Sequence, residues 1–380
     1  MFLDQFSERG GAQLALRDIL DETVRRNWDA MAMMPGDGPL HLDCEERGIP
    51  SRELPLSAYA NGHKTALDMV RYAADSMRAA AALRTAVREF EPDLIYVNGP
   101  RVLPAALFGA AGKPIVFHAH SALDSRYTRA IARWCVERGR MRVIAISGFV
   151  ARPFPGATLI YNGVRDHGFR SRPWPGGPRT IGILGRISPE KGHLDFVEAA
   201  GRFCRVYPEI RFSVFGAALF ADAAYERQVR TRAAGLPIDF HGWTDKVSEA
   251  LHAVDVLAVP SGPAEGATRV IMEAFSAGTP VVAYPSGGIP ELVRHGETGL
   301  LTAARTAESL AATLETLLND PALMQRLSFQ GRREWEQRFR LERWRREIGD
   351  LIAEAGATTS GRRFPSAAQA SAHGERLGSR

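Results

Sequence analysis

Short runs of Val, Ile, Leu and Phe recur along the chain and alternate with longer stretches whose apolar residues return every three or four positions. "PDLIYVN" (92–98), "KPIVFHAH" (113–120), "RVIAIS" (142–147) and "ATLIYNGV" (157–164) are such runs, and "FLDQF" is strand-like from the start. Runs that are apolar throughout, rather than alternating, predict strands buried on both faces, hence a parallel sheet covered by helices. The clearest helical stretch between them is Thr65 to Glu91. "RDHGFRSRPWPGGP" (165–178) is too rich in Pro and Gly for a regular element. The pattern then restarts with "RTIGILGRI", "IRFSVFG", "PIDFHG", "VDVLAVPS" and "TPVVAYP". The expected organisation is a Rossmann-like domain over 1–165, a linker at 166–177 and a second Rossmann-like domain over 178–330. One long helix follows at 331–356. From Ala357 to Arg380 large apolar residues are scarce, which predicts a disordered tail. Such paired α/β sheets take ligands in a cleft outside the carboxyl ends of their strands.

Composition narrows the class. The 380 residues suffice for two domains, and 45% hydrophobic with 24% charged residues is the balance of a soluble globular protein. No apolar run approaches the roughly 18 to 20 residues of a membrane-spanning helix. The start lacks the basic and apolar regions of a signal peptide, and Phe2–Leu3 read as a strand already under way, which leaves open that the first strand is clipped. Cys44, Cys135 and Cys204 lie far apart, as expected of reduced thiols in a cytosol. Lys plus Arg against Asp plus Glu is 21 to 18 in residues 1–165, 16 to 18 in 166–330 and 11 to 7 in 331–380. Both ends are basic but neither is dense enough for a general nucleic-acid face.

The candidate chemistry lies at strand ends of the second domain. In "GILGRISPEKG" (182–192) Arg186 and Lys191 flank a strand-to-helix turn, where a guanidinium fork and an ammonium point charge suit a diphosphate. A solvated surface loop would read the same. In "EGATRVIMEAFSAGTPVV" (265–282) Thr268 reads as an N-cap and Gly278 as the residue just past the helix, so a helix is expected over about 269–277. The backbone N–H groups of Thr268, Arg269 and Val270 then form an anion site. Glu265 precedes that helix and Glu273 sits in its second turn; both suit sugar hydroxyls, and both could equally be solvated. A ligand with a diphosphate between two polyols accounts for all of these residues together. Ser286, Gly287 and Gly288 precede another short helix, and Trp243 ends a strand where a core position is expected.

These stretches, with "AVDVLAVPS" and "GTPVVAYPSGGIPELVRHGETGLL", resemble the retaining glycosyltransferases of family four, which have the two-domain GT-B fold. The resemblance is strong over 178–330 and weaker in the first domain. There "ERGGAQLAL" (8–16) is similar to the family's glycine loop, marking Gly10 and Gly11, and "PIVFHAHS" to the stretch carrying its active-site histidine, best aligned with His120. It implies two Rossmann-like domains facing a cleft, with the terminal helix crossing back to the first. Arg186 and Lys191 would bind the donor diphosphate, Glu273 its ribose and Glu265 its sugar, with His120 orienting that sugar and the acceptor against the first domain. Where the family commonly has Phe-Gly, this chain has Ala267-Thr268, a change in donor-pocket shape.

The expected partner is a nucleotide-diphosphate sugar, with no cofactor and no metal, since the chain has no Asp-x-Asp. Transfer would retain anomeric configuration, with the leaving phosphate helping to take the acceptor proton. The acceptor is open among polysaccharide, lipid-linked glycan and soluble small molecule. A nucleotide-sugar epimerase and a non-catalytic nucleotide-sugar-binding protein are the competing readings. His118 shares a strand face with His120. Arg126, Arg129, Arg133 and Arg140 fall within roughly a 60° helical stripe. A solvated face explains that stripe, and so does contact with an anionic membrane at the cytoplasmic side.

Overall fold

The computed structural model describes residues 1–57, 65–123, 125–171, 179–218 and 223–360. The chain forms two compact units: residues 1–160 together with the C-terminal helix from Trp344, and Tyr161–Arg343.

The first unit is built on seven strands: β1 (Phe2–Asp4), β2 (Ala32–Met34), β3 (Ser51–Glu53), β4 (Ile95–Asn98), β5 (Ile115–Ala119), β6 (Arg142–Ala145) and β7 (Thr158–Leu159). They pair in parallel in the order β3-β2-β1-β4-β5-β6-β7. Central strands β1, β4 and β5 are buried along their whole length, as their mostly apolar patterns require, and the polar Asp4, Asn98 and His118 are buried with them. The chain builds outward from β1 to β3, then returns to β4 on the other side of β1. Connections on the two sides of that point run to opposite faces, which opens a crevice at the carboxyl ends of β1 and β4. Asp4 and Asn98 are direct partners in that register.

The second unit repeats the plan with β8 (Thr180–Leu184), β9 (Arg211–Phe215), β10 (Ile238–Gly242), β11 (Val256–Val259), β12 (Val281–Ala283) and β13 (Leu300–Leu301). The order is β10-β9-β8-β11-β12-β13, all parallel, so its crevice falls between β8 and β11. Its core joins Ile181, Ile183, Phe196, Phe212 and Val214 to Leu310 and Leu314 from the covering helices.

Several expectations need correction. The C-terminal segment is not one helix over 331–356. A helix Pro321–Glu334 enters a π-helical turn, Trp335–Phe339, and the chain is extended at Arg340 before the helix Leu341–Ser360. The cause is Val164, whose N–H donates to Phe339 O at 2.9 Å and whose carbonyl accepts from Leu341 N at 3.1 Å, in place of helical bonds. From Trp344 the last helix docks within the first unit, where Arg345 reaches Asp18 and Asp21 and Asp350 reaches Arg26. It runs through residues 357–360, which were expected in the tail, and residues 361–380 lie outside the described residues. The division between units falls at Ile160/Tyr161. Of the expected linker, 172–177 lie outside the described residues. Asp166 is held by Arg332 at 2.6 Å, and Arg170 N donates to Ala277 O. Trp243 is 44% exposed rather than in the core, because β10 is an edge strand and Gly242, at φ 73°, turns the chain outward.

Candidate functional site

In the second unit, three loops at the carboxyl ends of β8, β11 and β12 are locked together by backbone contact. Gly192, at φ 75°, lies so close to Pro260 that a Cβ there would stand 2.0 Å from the Pro260 carbonyl oxygen. Gly287, at φ 54°, is held as tightly against Glu265, with 1.9 Å from a Cβ to the Glu265 carbonyl. Neither the positive φ nor the space admits another residue. Gly288 N donates to the same Glu265 carbonyl at 3.0 Å, and Gly262 N to Glu190 O at 2.8 Å.

This frame brings together the residues read from the sequence. Lys191 Nζ donates to Glu265 Oε2 at 2.6 Å across the β8–β11 crevice. The side chains are 25% and 12% exposed, so the pair is shielded but reachable. Arg186 pairs with Glu190 at 2.5 Å, and Arg269 stands 3.7 Å from Glu273. The neighbouring carboxylates Glu265 and Glu273 are therefore each balanced by a cation, a pairing the sequence reading missed. The signal was there: Arg269–Glu273 is an i,i+4 spacing. The helix spans Arg269–Ala277 and ends at Gly278, φ 73°. Thr268 stands at its N-cap position, φ −78° and ψ 124°, but its side chain makes no capping hydrogen bond. Lys191, Thr268, Val270 and Ser261 line one small cavity with the ends of β8 and β11. Among the described residues Ser286 Oγ has no hydrogen-bond partner, and it is buried beside Gly287. A buried hydroxyl without a partner is costly, and a polar ligand would satisfy it.

In the first unit, the crevice at β1 and β4 holds a buried polar network. Asn98 Nδ2 donates to Asp4 Oδ2 at 2.5 Å and to Ala12 O at 3.1 Å, while Asn98 Oδ1 lies 2.7 Å from His120 Nε2. Asp4 Oδ1 accepts from Gln13 Nε2 at 2.8 Å and from Phe6 N at 2.9 Å. Burial pushes the Asp4 carboxyl up to about 7, against hydrogen bonds from Asn98, Phe6, Gln13 and Gln5 that pull it down. His118 and His120 do share a face, with ring centroids 3.8 Å apart. His118 is fully buried against the Tyr96 hydroxyl, and burial, then the neighbouring His120, hold it well below the usual imidazole range. Gly10 is the N-cap of the helix Gly11–Arg25 that supplies Gln13 and Ala12, and around Gly11 there is open space. Asp4, Gln13 and Asn98 were not read as functional. The polarity of Asp4 and Asn98 within apolar strand ends was the available signal, while Gln13 lies on a helix.

Arg126, Arg129 and Arg133 lie exposed on the helix Arg126–Gly139 beside Tyr127 and Trp134. Arg140 is off the stripe, past the helix end at φ 47°. Arg129 donates to Leu123 O and Arg133 pairs with Glu137 at 3.4 Å. Among the described residues no helix is long and apolar enough to cross a membrane.

Two family models match consecutive regions: Glycosyltransferase Family 4 over residues 9–166 and Glycosyl transferases group 1 over 164–334. An exopolysaccharide phosphotransferase of Streptomyces coelicolor is 28% identical over 250 residues, 64% of this chain and 24% of that one. A glycogen synthase of Mycobacterium tuberculosis is 30% identical over 213 residues, 53% of this chain and 51% of that one. The chain thus spans about half the length of the synthase and a quarter of the phosphotransferase. Among solved structures, HepE of Anabaena in complex with UDP-glucose superposes with TM-score 0.77 at 26% identity, covering 93% of this chain and 98% of that one.

Proposed function

Because this chain belongs to the GT-B glycosyltransferases of family four, we propose that it moves a sugar from a nucleotide-diphosphate donor to a hydroxyl acceptor with retention of anomeric configuration. The observation that carries this reading is the Lys191–Glu265 pair in the β8–β11 crevice, beside the start of the helix Arg269–Ala277. Lys191, Arg186 and the N–H groups of Thr268, Arg269 and Val270 meet the donor diphosphate. They stabilise the charge that grows on it as the glycosidic bond breaks, without a metal ion. Displacing Glu265 from Lys191 frees a carboxylate to accept from hydroxyls of the donor sugar, while Glu273 accepts from the ribose. His120 orients a sugar hydroxyl, and Gly11, next to the N-cap Gly10, leaves backbone open to substrate. HepE, crystallised with UDP-glucose, supports a nucleotide sugar as the donor class. Polysaccharide or glycolipid synthesis in the cytoplasm is the proposed setting, with a soluble small-molecule acceptor as the alternative.

Product analysis tests the reaction. With donor and an acceptor extract, the expected products are nucleoside diphosphate and a glycoside of the donor's anomeric configuration, in EDTA as well as without it. An inverted glycoside, or an epimerised nucleotide sugar formed without acceptor, contradicts the proposal. Vesicles of anionic lipid should raise the rate at low salt if the Arg126–Arg133 face meets a leaflet, and leave it unchanged if that face is merely solvated.

A further inference from the structure

We propose that Asp4 and Asn98 are positioning residues that fix the tautomer of His120, so that its neutral imidazole carries the proton on Nε2 and keeps its lone pair on Nδ1. The inference rests on the reading of His120 as the group that orients a sugar hydroxyl, and it specifies how: through Nδ1, as an acceptor.

Asn98 is surrounded by groups whose hydrogen-bonding character is fixed. Ala12 O is a backbone carbonyl and can only accept, whatever the pH, and the Asp4 carboxylate, once ionised above about pH 7, can only accept as well. Both face the same nitrogen of Asn98, at 3.1 and 2.5 Å. That end of the amide must therefore be Nδ2, and the opposite end, 2.7 Å from His120 Nε2, must be Oδ1. An amide oxygen has no proton to give. His120 Nε2 must supply it, which leaves the lone pair of the neutral ring on Nδ1. Asp4 is the anchor of this chain. Its Oδ1 is held by Phe6 N–H and Gln13 Nε2, which directs Oδ2 to Asn98. Asp4 and Asn98 are 1% and 0% exposed, so water does not compete for these bonds. The arrangement follows the fold, since the two residues are register partners at the ends of β1 and β4 and His120 follows β5 next to them.

Long-range ¹H–¹⁵N spectra of the full chain labelled in its histidines test this, above the pH at which the ring is charged and without substrate. The His120 signals are identified by their loss in His120→Gln. The expected wild-type pattern has a protonated Nε2 and an unprotonated Nδ1. Asn98→Leu removes the acceptor and should give a mixture of tautomers with transfer slowed about tenfold or more at little-changed donor KM, while Asn98→Asp keeps an oxygen there and should restore the wild-type pattern. Asp4→Asn keeps the volume but sets Nδ2 against Nδ2 of Asn98, because Phe6 N–H holds the other end; the population should move toward a protonated Nδ1. A wild-type His120 protonated on Nδ1, or a tautomer unchanged in both Asn98→Leu and Asp4→Asn, overturns the proposal. Undiminished transfer in His120→Gln with the expected tautomer overturns the role of the ring in transfer and leaves the Asp4–Asn98 effect on it standing, so the two failures are distinct.

Discussion

Lys191→Ala is expected to weaken nucleoside diphosphate and nucleotide-sugar binding by about ten- to a hundredfold, the equivalent of roughly 1.5–3 kcal/mol for a charge-assisted hydrogen bond. Affinity for the nucleoside alone should stay as it is. The ion pair makes the expected effect larger than for an isolated surface lysine. Without Lys191 the Glu265 carboxylate, 12% exposed, loses the cation 2.6 Å away and becomes an uncompensated anion facing an incoming diphosphate. Adding Glu265→Gln to Lys191→Ala should therefore recover part of the lost affinity, and calorimetry on the four proteins of the cycle reads this coupling directly. Diphosphate affinity equal in wild type and Lys191→Ala would remove Lys191 from the site.

Glu265→Gln should have the larger effect on turnover. It is expected to lower transfer by about 10²–10³-fold, the scale seen when one preorganised electrostatic contact to a reacting group is removed. Bare nucleoside diphosphate should bind as well as to wild type or better, since Lys191 no longer has a carboxylate competing for it. Glu273→Gln should instead weaken nucleotide and nucleotide sugar alike, by about tenfold, because both carry the ribose. Its partner Arg269 is one helical turn away at 3.7 Å, so the substitution also leaves that cation in excess near the phosphates, which moderates the loss. Steady-state rates with calorimetry for the two ligands separate these roles. Identical profiles for the two variants would mean that the two sugars are assigned to the wrong carboxylates.

The sequence carried the second unit further than the first, for a physical reason. Its strand-end loops use residues with sharp local meaning: Gly278 closes a helix in the left-handed region, and the Arg269–Ala277 helix falls where its flanking residues put it. Long-range pairing was not legible. Lys191 and Glu265 are 74 residues apart, and only the strand order that sets β8 beside β11 brings them together. The same holds for Asp4 and Asn98, 94 residues apart on β1 and β4. Each reads alone as an ordinary polar residue at a strand end. The C-terminal segment was misread because the break at Arg340 is imposed from outside it, by the Val164 backbone, and nothing within "EQRFRLERW" interrupts a helical pattern. Trp243 was misplaced because β10, whose Ile238, Asp239, Phe240 and His241 alternate apolar with polar, lies at the sheet edge, where a residue just past the strand is left exposed.

The central claim is that the crevice of the second unit takes a nucleoside diphosphate carrying a sugar. Thermal unfolding of the whole chain against a panel of nucleotide sugars, nucleoside diphosphates, monophosphates and nucleosides tests it most directly. A ligand at about 100 times its dissociation constant stabilises by roughly 2.7 kcal/mol. The account predicts that one base is preferred, that its diphosphate and its diphosphate sugar raise the melting temperature clearly, and that its nucleoside does so little or not at all. It also predicts that Lys191→Ala removes most of the shift. A panel in which no nucleoside diphosphate or nucleotide sugar moves the transition, or in which the Lys191→Ala protein shifts as far as wild type, would contradict the account.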